Sequence, residues 1–206
     1  FLEQKRSKQI KATFSKYVAP EVVNQMIAHP ELLRLGGERR EVTLLFCDLA
    51  GFTSMSEKLA PEQVAKVINA YLTAMAKVII THGGTVDKYI GDAVMAFWGA
   101  PIDDPEHAKH ALAAAQAMQV AMDDLEPTLS EAGVGALGLR IGLHSGYAVI
   151  GNMGSEDRFD YTALGDTVNL AARLEGVNKF YGTAILLSGD TAQLAGASNR
   201  LRLVDH

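Results

Sequence analysis

The stretch VTLLFCDLAGFTSMS, residues Val42 to Ser56, decides the fold class. Its first six residues, Val42 to Cys47, are apolar on both alternating faces. Such a strand is covered on both sides, in the middle of a sheet. Asp48 follows at the end of the strand, and Gly51 permits a tight turn before the next element. We therefore expect a central strand that delivers a carboxylate to its end.

The segments around this strand alternate between helical and extended patterns. Residues 61–84 predict an amphipathic helix that ends at Gly83 and Gly84. The later elements are, in order, a hairpin over 85–99, a helix over 103–133, two strands around residues 144–146 within 137–154, a helix over 164–182 and a strand over 184–191. The order β-α-β-β-α-β with further αβ elements predicts an α+β fold, a ferredoxin-like sandwich.

Composition narrows the class of protein. The chain has 206 residues, 48% of them hydrophobic, which suits one globular domain. Its net charge of −5 provides no chain-wide basic surface, so we expect no nucleic-acid partner. The single cysteine, Cys47, excludes a disulfide within the chain and fits a reducing, cytoplasmic setting.

The first 38 residues differ from the rest and predict a linker and a lead-in helix ahead of a domain over 39–206. This arm carries a cluster of basic residues: Lys5, Arg6, Lys8, Lys11 and Lys16. Either it is a solvated helix or connector coiled coil, or it is a linker on the cytoplasmic side of a membrane domain. The chain begins at Phe1 and ends in the strand-like LRLVDH, so we expect a fragment truncated at its C-terminal end.

Two aspartates are candidates for a metal site. Asp48 ends the central strand, and Asp92 lies in the hairpin turn beside Gly91. In a β-α-β-β fold the first and third strands are neighbours, so the two carboxylates can converge. Mg²⁺ binds through a few carboxylates and keeps positions for substrate phosphates. The alternative is that each aspartate only caps a turn or a helix.

Three other features are ambiguous on spacing alone. Asn169 and Arg173 lie i,i+4 on one helix face and could hold negative charge on a phosphoryl group, or could form a solvated polar face. Arg140 interrupts an apolar strand, and lies either at a sheet end or facing a ligand. The loop around Gly51 could offer backbone N–H groups to a phosphate or be an ordinary turn.

Four segments together resemble the catalytic domain of class III nucleotidyl cyclases, in particular bacterial adenylate cyclases. They are FCDLAGFTSMSE, DKYIGDAVMAFWG, LRIGLHSGYAVIGNMG and YTALGDTVNLAARLE, and the resemblance covers roughly residues 40 to 206. It implies conversion of ATP to 3′,5′-cyclic AMP and pyrophosphate with two divalent ions, Mg²⁺ or Mn²⁺. FSKYVAPEVVNQMI is similar to the lead-in helix of cyclases joined to an N-terminal sensor, which implies a cytoplasmic domain tethered to the inner membrane.

The resemblance also implies roles for individual residues. Asp48, Asp92 and the Leu49 carbonyl match metal ligands. The amides of Gly51, Phe52 and Thr53 match a phosphate-binding loop, and Arg140 matches a phosphate-contacting arginine. Asn169 matches the residue that orients the ribose, and Arg173 the arginine that stabilises the transition state. A further lysine of the family, which contacts the terminal phosphate, has no match in this chain.

The same resemblance implies which nucleotide base is bound and how two copies of the chain assemble. Lys88 and Thr162 match the pair that contacts adenine, whose N1 accepts and whose N6 donates hydrogen bonds, and this Lys/Thr subgroup often responds to bicarbonate. Family members act as head-to-tail dimers with shared sites, so Lys88, Thr162, Asn169 and Arg173 would face the metal ligands of a second copy. The alternatives are a guanylate cyclase, disfavoured by Lys88, and a nucleotide-binding regulatory domain. A diguanylate cyclase is disfavoured because GG[DE]EF is absent.

Overall fold

The computed structural model describes residues 22–23, 27–28, 35–197 and 201–204. The strands are β1 (Gly36–Ala50), β2 (Thr85–Ile90), β3 (Ala93–Trp98), β4 (Gly138–Gly154), β5 (Phe159–Leu164) and β6 (Ile185–Leu187). The helices are α1 (Phe52–Ser56), α2 (Pro61–Thr81), α3 (His107–Asp123), α4 (Glu126–Glu131), α5 (Asp166–Tyr181) and α6 (Gly189–Leu194). Almost all of the predicted linker and lead-in helix over 1–38 lies outside the described residues.

β1 is the central strand, as its apolar sequence predicts. It pairs antiparallel with β3 on one side and with β4 on the other. The strand order is β2-β3-β1-β4-β5, and β6 pairs parallel with β4. The predicted adjacency of the first and third strands is therefore confirmed, and with it the α+β class.

Helices cover both faces of the sheet. One core cluster joins Cys47 and Leu45 of β1 to the inner faces of α2 and α3, including Tyr71 and Met118. The second cluster joins alternate residues of the same strands to α5 through Ala171. Because successive residues of β1 enter different cores, Asp48 lies on the same face as α5.

The sheet curls so that the strands at its two ends meet. β2 and β5 are the first and last strands of the order, yet Lys88 of β2 donates a hydrogen bond to Thr162 of β5 over 3.1 Å. The α5 core lies on this face of the sheet, between the two strands. Polar residues of β2 and β5 are thereby gathered at one place.

Several predicted element boundaries were wrong. Residues 138–154 form one strand of 17 residues, not two, because residues 144–146 stay paired with β1. β5 was not predicted. The helix expected over 103–133 divides into α3 and α4, because Pro127 fits only the start of a helix. The last strand stops at Leu187, where Ser188 caps α6, and residues 201–204 form no strand.

Helix α2 is long and apolar enough, by length and composition, to cross a membrane; within the described residues it is the one helix of that kind. It packs on the sheet through four buried side chains: Val67, Tyr71, Met75 and Ile79. Its apolar stripe is thus occupied by the core. The tether expected upstream concerns residues that the structure does not describe.

Candidate active site

Arg140 lies between two carboxylates at the end of β1. Asp48 and Arg140 are directly paired across β1 and β4. The Arg140 Nη2 atom donates to Asp48 Oδ2 over 2.6 Å, and its Nε atom lies 3.1 Å from Glu175 Oε1 of α5, an ion pair without hydrogen-bond alignment. Burial, and then the charge of Asp48, raise the pKa of Glu175. The arginine thus neutralises two acids that would otherwise repel.

Asp92 converges on Asp48, as the strand order predicts. It follows Gly91 in the β2–β3 turn, where the glycine has a φ of 66°. Burial, followed by the hydrogen bond and charge of Asp48, raises the pKa of Asp92 to about 7, while backbone hydrogen bonds of Asp92 and Leu49 oppose the rise. Two carboxylates held this close favour a proton or a cation between them.

The chemistry of these donors fits a divalent ion that takes part of its shell from substrate. No group of three or more His, Cys, Asp or Glu side chains is arranged for a metal among residues 35–197 and the other described residues. Two carboxylates and a backbone carbonyl leave positions open, as Mg²⁺ sites on phosphate substrates commonly do. Arg140 would have to release Asp48 to free both of its oxygens.

The loop after Asp48 leads into the N-terminus of a short helix. Gly51 adopts the left-handed conformation, with φ 89°, and precedes the short helix α1 without a side-chain cap. The first amides of a helix have no intrahelical acceptor, so those of Phe52 and Thr53 are free for a ligand. This geometry is compatible with the predicted phosphate loop.

Lys88 and Thr162 meet within one chain, with a third residue that sequence reasoning missed. Asp87 is buried at a bulge of β2, between Val86 and Lys88. Its Oδ2 atom accepts from Thr162 Oγ1 at 2.6 Å and from the Ala163 amide at 3.3 Å, and its Oδ1 atom lies 3.2 Å from Lys88 Nζ. Burial raises the pKa of Asp87, and the Thr162 and Lys88 contacts oppose that rise.

Asn169 and Arg173 are exposed on α5, and the structure brings neither into contact with Asp48 or Asp92 of the same chain. Their helix lies directly on β4 at Gly142, where a Cβ atom would come within 2.4 Å of two backbone atoms of α5. Asp166, expected as the cap of this helix, is its first residue instead. The helix is thus packed closely on the sheet, with Asn169 and Arg173 on its exposed face.

Asp87 and Glu175 are the acidic residues that the sequence reasoning overlooked. Each lies within two residues of a residue that it did single out, Lys88 or Arg173. Buried carboxylates are rare unless paired. The sequence did contain a signal for them: each acidic residue lies close to a cationic residue that was itself a candidate for ligand binding.

Comparison with known proteins places this geometry in a family. The profile of the adenylate and guanylate cyclase catalytic domain matches residues 37–202. Adenylate cyclase 1 of Rhizobium meliloti is 40% identical over 177 residues, which are 86% of this chain and 27% of that protein. Adenylate cyclase of Anabaena cylindrica is 40% identical over 172 residues, 81% of this chain and 33% of that protein. The chain spans about a third or less of the length of these relatives.

Two similar solved structures share the fold of this chain but are named for different activities. The guanylyl cyclase Cya2 superposes with a TM-score of 0.74 at 41% identity, covering 79% of this chain and 81% of that one. The adenylyl cyclase CyaB from P. aeruginosa superposes with a TM-score of 0.72 at 36% identity, covering 79% and 83%. The chain belongs to the adenylate and guanylate cyclase catalytic domain family.

Proposed function

We propose that the chain is the catalytic domain of an adenylate cyclase, which converts ATP to 3′,5′-cyclic AMP and pyrophosphate. The observation that carries this choice is the contact of Lys88 with Thr162, since the similar structures include both a guanylyl and an adenylyl cyclase. An ammonium group donates to N1 of adenine, and a hydroxyl oxygen accepts from its N6 amino group. Guanine presents a protonated N1 and a carbonyl, which would suit an acidic residue better.

The phosphates and metal ions would be held at the end of β1. Asp48, Asp92 and the Leu49 carbonyl are proposed to bind two divalent ions, Mg²⁺ or Mn²⁺. When bound, such ions lower the pKa of the ribose 3′-OH and neutralise the triphosphate. The amides of the 51–53 loop and Arg140 would hold phosphate oxygens, because charge-assisted contacts of this kind are strong.

The active form is proposed to be a head-to-tail homodimer with two shared sites. Asn169 and Arg173 are exposed, so they are available to a second copy, and they would orient the ribose and stabilise charge at the transition state. Lys88 and Thr162 would contribute to the same site from that chain. A sensor or membrane tether upstream of residue 39, and a bicarbonate response, remain expectations from the Lys/Thr resemblance and the basic arm.

A mixing experiment tests the shared site. Purified Asp92→Ala and Arg173→Ala variants should each be folded and inactive, because each lacks one half of every site. Mixed in equal amounts, they form heterodimers with one intact site, so about a quarter of wild-type cyclic AMP production should return. Specific activity of the wild type should also rise with protein concentration.

Two outcomes contradict the proposal. Turnover retained by Asp92→Ala would remove that residue from the metal site, and two inactive variants that stay inactive on mixing would exclude a shared site. Assays with ATP and GTP, each with Mg²⁺ or Mn²⁺, decide between the two cyclase activities. Preferential formation of cyclic GMP would favour the activity named for the 41% identical structure.

A further inference from the structure

We propose that Asp87 is a specificity-determining residue: it fixes the direction of the Thr162 hydroxyl, so that the base site selects a purine with an amino group at position 6. This inference rests on the proposed function, because it concerns how the Lys88 and Thr162 pair distinguishes ATP from GTP. It adds a buried residue that need not touch the nucleotide. Asp87 would therefore act as a positioning residue.

The geometry leaves one direction for the hydroxyl proton. The Asp87 side chain is fully buried, and its three polar contacts are with groups that can donate: the Thr162 hydroxyl, the Ala163 amide and the Lys88 ammonium. The Ala163 amide donates to Oδ2, and the Lys88 ammonium, which has no lone pair, faces Oδ1. Oδ2 of Asp87 thus accepts from the Ala163 amide while Oδ1 forms an ion pair with Lys88, and the 2.6 Å contact is a hydrogen bond donated by Thr162.

A hydroxyl has one proton, so this bond decides what Thr162 can offer to a ligand. With its proton committed to Asp87, the Thr162 oxygen has two acceptor positions. Lys88 Nζ occupies one of them at 3.1 Å, and one remains. Towards a base, Thr162 can then only accept a hydrogen bond.

This restriction supplies a discrimination that Lys88 alone lacks. An ammonium can donate to N1 of adenine, but it can equally donate to the 6-carbonyl of guanine. An oxygen that only accepts binds the 6-amino group of adenine and faces the lone pairs of a 6-carbonyl unfavourably. A site built to hydrogen-bond one polar group strongly rejects an analogue that cannot form that bond, because the buried polar groups of the site would be left unpaired.

Asp87→Asn is the test variant, since it keeps the size of the side chain. The Lys88 ammonium favours the amide oxygen at the Oδ1 position, which places the amide nitrogen against Thr162. That nitrogen donates to the Thr162 oxygen and frees the hydroxyl proton to point at the base. We expect the ratio of kcat/KM for ATP to that for inosine triphosphate to fall at least about tenfold, chiefly through faster turnover of the inosine nucleotide. ATP and inosine triphosphate differ at the 6-position and in the N1 proton. Neither carries the 2-amino group of guanine. GTP and 2,6-diaminopurine triphosphate repeat the comparison with that group present.

Thr162→Val provides the matched control. It removes the hydroxyl but keeps the shape, so adding Asp87→Asn to it should leave the nucleotide ratio unchanged if Asp87 acts through Thr162. Thr162→Ser, which restores a hydroxyl, should restore the dependence on Asp87. An altered ratio from Asp87→Asn in the Thr162→Val background would overturn the mechanism, since it would show that Asp87 acts through the charge of Lys88.

The proposed function and this inference fail in different ways. Wild-type protein that forms cyclic GMP in preference to cyclic AMP would overturn both. Wild-type protein that selects ATP, with an Asp87→Asn variant of equal Tm that selects it equally well, would leave the function standing and overturn the role of Asp87. Where turnover is too slow, equilibrium binding of the same four nucleotides gives the same ratio.

Discussion

Replacing Gly142 by alanine should displace the helix that carries Asn169 and Arg173. The added Cβ atom would lie 2.2 Å from the Glu175 nitrogen and 2.4 Å from the Ala171 oxygen. Both are backbone atoms of α5, so no side-chain rotation can relieve the contact. The helix, the strand or both must move by roughly 1 Å, the amount by which these contacts fall short of ordinary packing.

The displacement should reduce both stability and rate. Overpacking of this kind costs about 1–3 kcal/mol of the free energy of unfolding. A misplacement of roughly 1 Å at catalytic groups costs on the order of 10²-fold in rate. We therefore expect Gly142→Ala to lose more activity at 25 °C than its fraction of unfolded protein can explain.

Urea unfolding and cyclic AMP formation by the same preparation would separate the two effects. The matched control is Gly176→Ala, because Gly176 lies in the same helix with open space around its Cβ position. Alanine there should stabilise the protein by roughly 0.5–1 kcal/mol, since it is the better helix former. A Gly142→Ala variant with wild-type unfolding and wild-type kcat would refute the argument that close packing at β4 positions α5.

Three further results are expected. Because the pKa of Asp92 rises from 3.8 to about 7, the folded protein retains a proton that the unfolded chain releases. Without metal, the free energy of unfolding should therefore fall from pH 4 to 7. Asp92→Asn should flatten that slope in urea titrations. Thr43→Val breaks two buried 2.7 Å hydrogen bonds and should cost about 1–3 kcal/mol in the same measurement, with cyclic AMP formation per folded molecule unchanged. Glu175→Gln should raise the Mg²⁺ concentration for half-maximal activity several-fold, because Arg140 then pairs with Asp48 alone; an unchanged Mg²⁺ dependence would contradict this.

The central strand and the hairpin could be predicted because their side chains carry the information locally. Val42 to Cys47 are apolar on both faces, and Gly91 marks the turn beside Asp92. From these two elements and the β-α-β-β order, the convergence of Asp48 on Asp92 followed without coordinates. The local sequence pattern was sufficient to predict an element wherever its conformation depends on its own residues alone.

Prediction failed where tertiary pairing overrides local signals. His144 to Gly146 looks like a turn, but the segment continues as a strand because β1 pairs with it and Gly146 lies against Thr167 of α5. Asp87 and Glu175 were overlooked for a related reason. The importance of a buried acid depends on partners, here Thr162 for Asp87, that are distant in the chain and unknown until the sheet has curled.

The uninterrupted length of β4 restricts where this chain can gain or lose residues. The strand carries Arg140 near one end, while Gly151 near the other end pairs with Thr162 of β5. Because side chains alternate between faces, a one-residue insertion or deletion between these points would turn one of the two ends to the wrong side of the sheet. Length changes should therefore be tolerated in the exposed connections over 135–136 and 155–158, and rejected within 141–150. Insertion scanning along this stretch would show whether the strand must keep a fixed length between Arg140 and the residue paired with Thr162.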